Sequence, residues 1–290
     1  SDAYGTPPLA IQWRHAGTNI PGATSAVYAK PSAVVTDSGD YQIVVTNASG
    51  SITGSSVAIA VLELPPNATN DLRLWLKLDE TSGTTAANSS TNTGVSGTLV
   101  GFPGDDTQWV PGAMVRAIRV NPPGSANSEY VAVADNGTLD FSTGQEFSLS
   151  VWVKAGPSQT GGASVITKGD GGGGEQFCVD VDAGVYRFYV RDGSAAAKVF
   201  RTSVAPNNNW QHIVAAYSAS MGLVKVYVNG ALVLSDVPAS SLLNNTHDVT
   251  IGSRQSGSDS YDLNLNGTVD DVRIFSRMLS QGDVTLLYTS

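Results

Sequence analysis

Apolar residues in this chain recur at every second position, in short runs bounded by turn-forming residues. Leu72, Leu74 and Leu76 alternate with Arg73 and Trp75, and Phe147, Leu149, Val151 and Val153 alternate with Ser148, Ser150, Trp152 and Lys154. Successive side chains of a strand point to opposite faces, so a period of two sends one set toward a core and the other away from it. Val224 to Val228 runs straight into Asn229-Gly230, with Leu232-Val233-Leu234 beyond. Asn-Gly accepts the positive φ angles of a tight type I′ turn, which makes this the strongest hairpin signal in the chain. Only 14% of residues are charged, and the Glu, Lys, Leu and Arg that build amphipathic helices are scarce. The pattern predicts an all-β protein. One exception stands at 279–287, where Ser280 and Asp283 form a helix-capping pair ahead of Leu286 and Leu287, so one short helical turn is expected there.

At 290 residues the chain suits one small domain plus one large one. The boundary is expected near Leu64-Pro65-Pro66-Asn67, because proline cannot donate to a sheet ladder. This gives a first domain over 1–64, a linker over 65–69 and a second domain over 70–290. In the first, 10–13, 40–46 and 57–62 read as strands, with a turn at Asn47-Ala48-Ser49-Gly50. In the second, 71–80, 147–154, 186–191, 210–217 and 224–228 read as strands.

The net charge is −9, with no run of Lys and Arg of the kind that displaces counterions from a phosphate backbone. Nucleic acid is therefore excluded as a partner. No apolar stretch reaches the ~20 residues of a membrane helix, so insertion into a bilayer is not expected. Cys178 is the only cysteine. It cannot form an intrachain disulfide, and in a strand it reads as a buried thiol.

The segment Thr36-Asp37-Ser38-Gly39-Asp40-Tyr41 resembles the tyrosine corner of immunoglobulin-like domains. Trp13 stands where such domains bury a tryptophan on strand C, and Val44 to Ser51 looks like their F–G hairpin. Ile43 occupies the place of the usual second cysteine. The resemblance starts just before strand C, so strand A and most of strand B lack residues. A sandwich truncated in this way would expose a sheet edge and a core face, and pairing with another chain is expected there.

The larger part resembles the laminin-G-like, concanavalin-A-like jelly roll of bacterial secreted proteins. The resemblance rests on Trp75 to Glu80, Tyr130 to Val133, Phe147 to Lys154, Trp210 to Val214, Tyr227 to Gly230 and Gly267 to Phe275 with Arg277 to Ser280, in that order. It implies two curved antiparallel sheets, an extracellular or cell-surface location, a common structural Ca²⁺, and service as a carbohydrate-binding or adhesion module with glycan as partner. Acidic groups near the first and last strands meet in such sandwiches, so Asp79, Asp270 and Asp271 are the expected calcium ligands. The competing reading pairs Asp270 or Asp271 with Arg273.

Sugar binding needs aromatic faces and planar hydrogen-bonding groups. The candidates are Trp109, Tyr130, Tyr261, Lys168, Asp170, Gln176, Arg187, Tyr189 and Arg191. Arg187, Tyr189 and Arg191 share one face of their strand, which reads as a solvated surface suited to an acidic sugar. An ordinary wet sheet face is the competing reading. Trp75, Trp152 and Trp210 sit inside strands and are read as core. The glycine-rich stretch 169–174 lacks the order of a phosphate loop and reads as a hairpin loop at the sandwich rim. The segment 262–270 begins like an EF-hand loop, but Arg273 stands at its last ligand position. A glycosidase needs two carboxylates roughly 5–10 Å apart. The nearest approach is Glu175, Asp180 and Asp182, in which Glu175 falls on the opposite parity. The reading is a non-catalytic binding module. The scattered His15, His212 and His247 offer no zinc spacing, and His212 reads as a structural hydrogen-bonder.

Overall fold

Period two becomes strand almost everywhere the sequence shows it. The computed structural model describes residues 5–30, 35–61, 71–90, 94–257 and 260–289. The chain divides into two compact units, Ser1–Leu64 and Pro65–Ser290. The expected linker over 65–69 lies outside the described residues.

The smaller unit is a single antiparallel sheet with the order Thr18–Asn19, Ala10–His15, Gly39–Asn47, Gly50–Thr53, and Val57–Ile59 also paired to Gly39–Asn47. Ile11 opposes Val45 and Trp13 opposes Ile43, which gathers apolar side chains on one side. Tyr41 donates its hydroxyl hydrogen to the Asp37 carbonyl at 2.8 Å, the contact that the corner pattern predicts. Asn47 Oδ1 accepts from the Ser49 amide at 2.9 Å and closes the turn to Gly50–Thr53. No second sheet covers the apolar side among the described residues of this unit. A groove of about 390 Å³ runs along it, lined by Trp13, Tyr28, Tyr41, Ile43, Val57 and Ile59. Val57 is 57% exposed.

The larger unit is a sandwich of two eight-stranded antiparallel sheets. One runs Ala231–Asp236, Leu223–Val228, Trp210–Ser218, Glu146–Ala155 and Gly267–Phe275, whose far side is shared by Leu72–Leu76 and by Arg116–Val120, with Trp109–Pro111 outermost. The other runs Ala197–Arg201, Val185–Arg191, Phe177–Asp182, Ala163–Lys168, Val249–Ile251, Tyr130–Val133, Gly97–Val100 and Thr85–Ala86. Phe147, Leu149, Val151 and Val153 of the first sheet meet Phe177, Val179, Val181, Phe188 and Val190 of the second in one buried cluster. Phe147 is its aromatic hub, with ring centroids 5.1 Å from Phe141, 5.3 Å from Phe177 and 5.4 Å from Tyr217.

Turns follow their residues. Asn229 and Gly230 both take positive φ, at 52° and 78°, as a type I′ turn requires. The helix spans Gln281–Thr289, longer than the single turn expected. Its capping pair is reciprocal: the Asp283 amide donates to Ser280 Oγ at 3.1 Å and the Ser280 amide donates to Asp283 Oδ2 at 2.8 Å. Val284 and Leu287 of this helix bury against Leu72, Val214, Tyr227, Phe275 and Leu279, a second cluster on the far side of the first sheet.

Phe147→Ala removes the ring that most of the aromatic contacts share. It is expected to destabilise the larger unit by about 3–5 kcal/mol, read as a lower urea midpoint with an unchanged slope.

Candidate functional site

The outer face of the second sheet is set by the parity of two adjacent strands. Phe177, Val179 and Val181 enter the core, so Cys178, Asp180 and Asp182 point outward. Tyr186, Phe188 and Val190 do likewise and leave Arg187, Tyr189 and Arg191 outside. The register sets Asp180 opposite Arg187 and Cys178 opposite Tyr189. Arg187 grips both Asp180 oxygens, through Nε at 2.9 Å and through Nη2, and reaches Asp182 Oδ2 with Nη1 at 3.0 Å. Arg191 Nε donates to Glu175 Oε2 at 2.6 Å, while Tyr189 Oη and Arg254 Nη1 donate to Glu175 Oε1 at 3.1 and 2.9 Å. Arg254 also holds Asp262, and Arg201 holds Asp182.

This corrects the expectation of a solvated cationic face. Tyr189, Glu175 and Asp180 are buried, and each arginine expected to meet a ligand already meets a carboxylate. Burial pushes the Glu175 carboxyl up, but its own backbone hydrogen bond and the Arg191 and Arg254 guanidiniums outweigh that and hold it below the ordinary range. Burial raises the Asp180 carboxyl, against the pull of Arg187. Burial also raises the Cys178 thiol, which accepts from Thr167 Oγ1 at 3.0 Å and is inert. Glu175 reaches the face of Asp180 despite its parity, because 173–176 are not regular strand.

Four of the sequence candidates gather at one end of this sheet. Lys168, fully buried, donates to Asp135 Oδ1 at 2.6 Å and to the His247 carbonyl at 2.8 Å. Gln176, also buried, donates to Asp140 Oδ1 at 2.5 Å and to the Leu243 carbonyl at 2.7 Å. Both are struts holding 243–247 against the sheet, and Arg191 belongs to the ion-pair layer beside them. Asp170 differs. Its carboxylate lies 3.5 Å from His247 Nε2, with the two side chains 29% and 37% exposed. The glycine-rich loop folds over it so tightly that a Cβ at Gly174 would collide with the Asp170 carboxylate. Asn245 Nδ2 donates to the Gly174 carbonyl at 2.9 Å. Between the loop and Leu243, Asn244, Asn245, Thr246 and His247 lies a cavity of about 430 Å³. Its walls present backbone and amide groups, the equipment that fixes sugar hydroxyls.

The other candidates stand elsewhere. Trp109 is buried and donates its indole hydrogen to the Gly83 carbonyl at 3.3 Å. Tyr130 is buried under Tyr261, with ring centroids 3.9 Å apart. Asp262 pairs with Arg254, and Asn264 Oδ1 accepts from Ser253 Oγ at 2.7 Å, so the EF-hand-like segment is spent on internal contacts.

Trp75 and Trp152, read as core from the sequence, lie half-buried on the outer face of the first sheet. Arg273 and Lys77 sit over the Trp75 ring at 4.7 and 4.6 Å, and Trp152 stacks with His212 at 5.0 Å and Tyr288 at 5.6 Å. The signal was available, since the Leu74/Leu76 and Val151/Val153 faces leave these indoles on the other side, where Trp75 packs with Leu72. His212 bonds Ser150 Oγ at 2.8 Å, and burial followed by the nearby Arg273 charge lowers its imidazole to about 3.

The three expected calcium ligands are already engaged. Asp79 Oδ1 accepts the Arg116 amide at 3.0 Å, Asp270 Oδ2 accepts the amides of Ala113 and Met114 at 2.8 and 3.0 Å, and Asp271 Oδ1 accepts the Trp75 indole at 2.6 Å. Arg273 Nη2 lies 3.0 Å from Asp271 Oδ2, which is the competing reading. Asp270 Oδ1 is a buried oxygen without a partner. Asp271 Oδ2 and Glu80 Oε2 are likewise buried without a hydrogen-bond partner. With the Arg273 guanidinium against Asp271 Oδ2, these oxygens fall short of the six to eight that Ca²⁺ takes, and no group of three metal-binding side chains forms among the described residues. Burial first, with Asp271 and Asp79 adding, pushes the Asp270 carboxyl up to about 7.

A family model described as the concanavalin A-like lectin/glucanases superfamily matches residues 125–285. Three solved structures share the fold. Domain 4 of AbnA, a GH43 extracellular arabinanase from Geobacillus stearothermophilus, solved with arabinotriose, is 20% identical with a TM-score of 0.56, over 75% of this chain and 98% of that one. A botulinum neurotoxin type C structure, whose cell entry depends on two ganglioside molecules, is 19% identical with a TM-score of 0.59, over 76% and 51%. The binding domain of Paraclostridial Mosquitocidal Protein 1 is 18% identical with a TM-score of 0.58, over 76% and 52%. The chain thus spans about half of the two toxin chains. No characterised protein sequence matches significantly. No helix among the described residues is long and apolar enough to cross a membrane.

Two outcomes follow from this geometry. Arg187→Ala strands the buried Asp180 carboxylate and is expected to cost roughly 3 kcal/mol, read as a lower melting temperature. For Asp270, a folded-state value of about 7 against an ordinary 3.8 means that the folded protein holds a proton the unfolded chain releases, so stability from this group falls as pH rises through that window. Asp270→Asn is therefore expected to raise the melting temperature at pH 8 and to leave it unchanged near pH 4, with EGTA without effect. A drop at pH 8 together with a calcium-dependent rise in the parent protein would restore the metal reading.

Proposed function

From a chain that belongs to the concanavalin A-like lectin/glucanase superfamily, we propose a non-catalytic carbohydrate-binding module of a secreted or cell-surface protein, with its glycan held in the rim cavity beside Asp170 and His247. The observation that carries this reading is the 430 Å³ cavity formed where the glycine-rich loop meets 243–247. Asn244, Asn245, Thr246 and His247 line it with side chains at least partly open to solvent, Asp170 stands behind His247 at 3.5 Å, and the Gly173 and Gly174 backbone lets a ring approach closely. That fold neighbours were solved with arabinotriose or depend on gangliosides adds weight to a glycan ligand.

The ion pairs support the non-catalytic reading. A glycosidase keeps one carboxyl oxygen for the leaving group and another for the anomeric carbon or a water. Both oxygens of Glu175 and both of Asp180 are bound by arginine or tyrosine, which leaves neither carboxylate open. A second reading, an adhesion or assembly protein, is supported by the apolar groove of the smaller unit, where Val57 and Ile59 remain exposed.

His247→Ala deletes a ring that lies 3.5 Å from Asp170, while its backbone carbonyl still serves Lys168. On a glycan array followed by calorimetry with the best glycan, it is expected to weaken binding by about tenfold without moving the melting temperature. Unchanged affinity in both His247→Ala and Asp170→Ala removes the rim site. Release of reducing sugar by the parent protein removes the non-catalytic reading.

A further inference from the structure

The sequence points to an acidic sugar on Arg187, Tyr189 and Arg191, but the rim is charged the other way. Lys168, Arg191 and Arg254 touch the segments that build its cavity, and each is committed. Lys168 lies against Asp135 and donates to the His247 carbonyl at 2.8 Å. Arg191, whose own carbonyl accepts the Leu243 amide at 2.8 Å, gives its guanidinium to Glu175. The Arg254 guanidinium lies under the glycine-rich loop, where a Cβ at Gly171 would stand 2.9 Å from it, and is held by Glu175 and Asp262. Asp135, Glu175 and Asp262 balance these charges.

Further carboxylates stand around the cavity without a Lys or Arg partner among the described residues. Asp170 lies 3.5 Å from the His247 ring. Asp140 Oδ1 accepts from Gln176 Nε2, which also donates to the carbonyl of Leu243 in the cavity wall. Asp248 follows His247 in the chain, and its Oδ1 accepts the Asp135 amide at 3.1 Å. His247 carries the one basic group among the lining residues. The rest of the wall is uncharged. Asn244 and Thr246 are exposed, and their side chains hold no hydrogen bond among the described residues. An amide and a hydroxyl both donate and accept, as the hydroxyls of a sugar do. No aromatic ring lines the cavity, so hydrogen bonds rather than stacking select the ligand.

A ligand carboxylate or sulfate finds no uncommitted guanidinium or ammonium here. Taking one from Asp135 or Glu175 would break a charge-assisted bond and strand a protein carboxylate, while Asp140, Asp170 and Asp248 repel the newcomer. We propose that the rim cavity takes uncharged glycans and discriminates against uronic, sialic and sulfated sugars. The inference rests on the carbohydrate-binding reading and names the class of glycan within it.

The test is a glycan array of the full chain at pH 8, in which each neutral glycan stands beside its uronate, sialylated or sulfated counterpart. The pair with the strongest-binding member is then titrated by ¹⁵N chemical shift, read at the amides of 243–247. In 10 mM salt the neutral member is expected to bind at least about tenfold more tightly. That gap is expected to shrink in 1 M salt, where the Debye length falls from about 30 Å to about 3 Å. It is also expected to shrink severalfold in Asp170→Asn, which removes one charge and keeps the shape. If the acidic member binds at 243–247 as tightly as the neutral one or more so, or if neither salt nor Asp170→Asn narrows the gap, the charge selection is overturned and the rim reading stands. If no glycan of either kind moves 243–247, the rim reading falls and this inference falls with it.

Discussion

A carboxylate withdrawn from water needs a cation within hydrogen-bond reach, and that requirement organises one whole side of the larger unit. Glu175 and Asp180 are buried on the outer face of a sheet whose inner face is already core. Arginine answers them, since its planar fork meets two carboxylate oxygens at once and stays charged where lysine would lose its proton. Asp180 and Asp182 with Arg187 and Arg201, and Glu175 and Asp262 with Arg191 and Arg254, form a close-fitting layer in which the charges balance. Such a layer contributes shape and rigidity more than net stability. It also takes the middle of this sheet out of service as a ligand surface, because a sugar hydroxyl would have to displace a charge-assisted bond to gain an ordinary one.

Binding is thereby displaced to the loops, where backbone groups are not committed to a ladder. The struts Lys168 and Gln176 reach out of the sheet to fix 243–247, so the rim is mobile in composition but held in place. This division, a matched polar layer carrying a rim of glycine and amide groups, is how a rigid scaffold presents variable chemistry.

Much of this was legible in the sequence, and the failures share one cause. Alternation reveals that a strand has two faces, and here it gave the sandwich, the core partners of Phe147 and the turn at Asn229-Gly230. It does not say whether the second face is wet. Arg187, Tyr189 and Arg191 were read as open to solvent because nothing in their own strand opposes them. Their partners are Asp180 and Asp182 of the neighbouring strand and Glu175 just before it, which only the pairing of the two strands brings alongside. Trp75 and Trp152 were misplaced for the complementary reason: large apolar rings suggest a core, although their parity placed them outside it. Glu175 was misjudged because strand parity stops counting where the backbone leaves the regular ladder, as it does at 173–176. The rim cavity has no sequence signature beyond its glycines.

The helix Gln281–Thr289 spreads over the first sheet through Val284 and Leu287, and its Tyr288 ring leans on Trp152 and His212. While covered, His212 is a neutral imidazole lowered to about 3. In water the same ring would take up a proton near pH 6.5, so acid works against the packing of Tyr288 over His212 and favours any state in which that imidazole is uncovered.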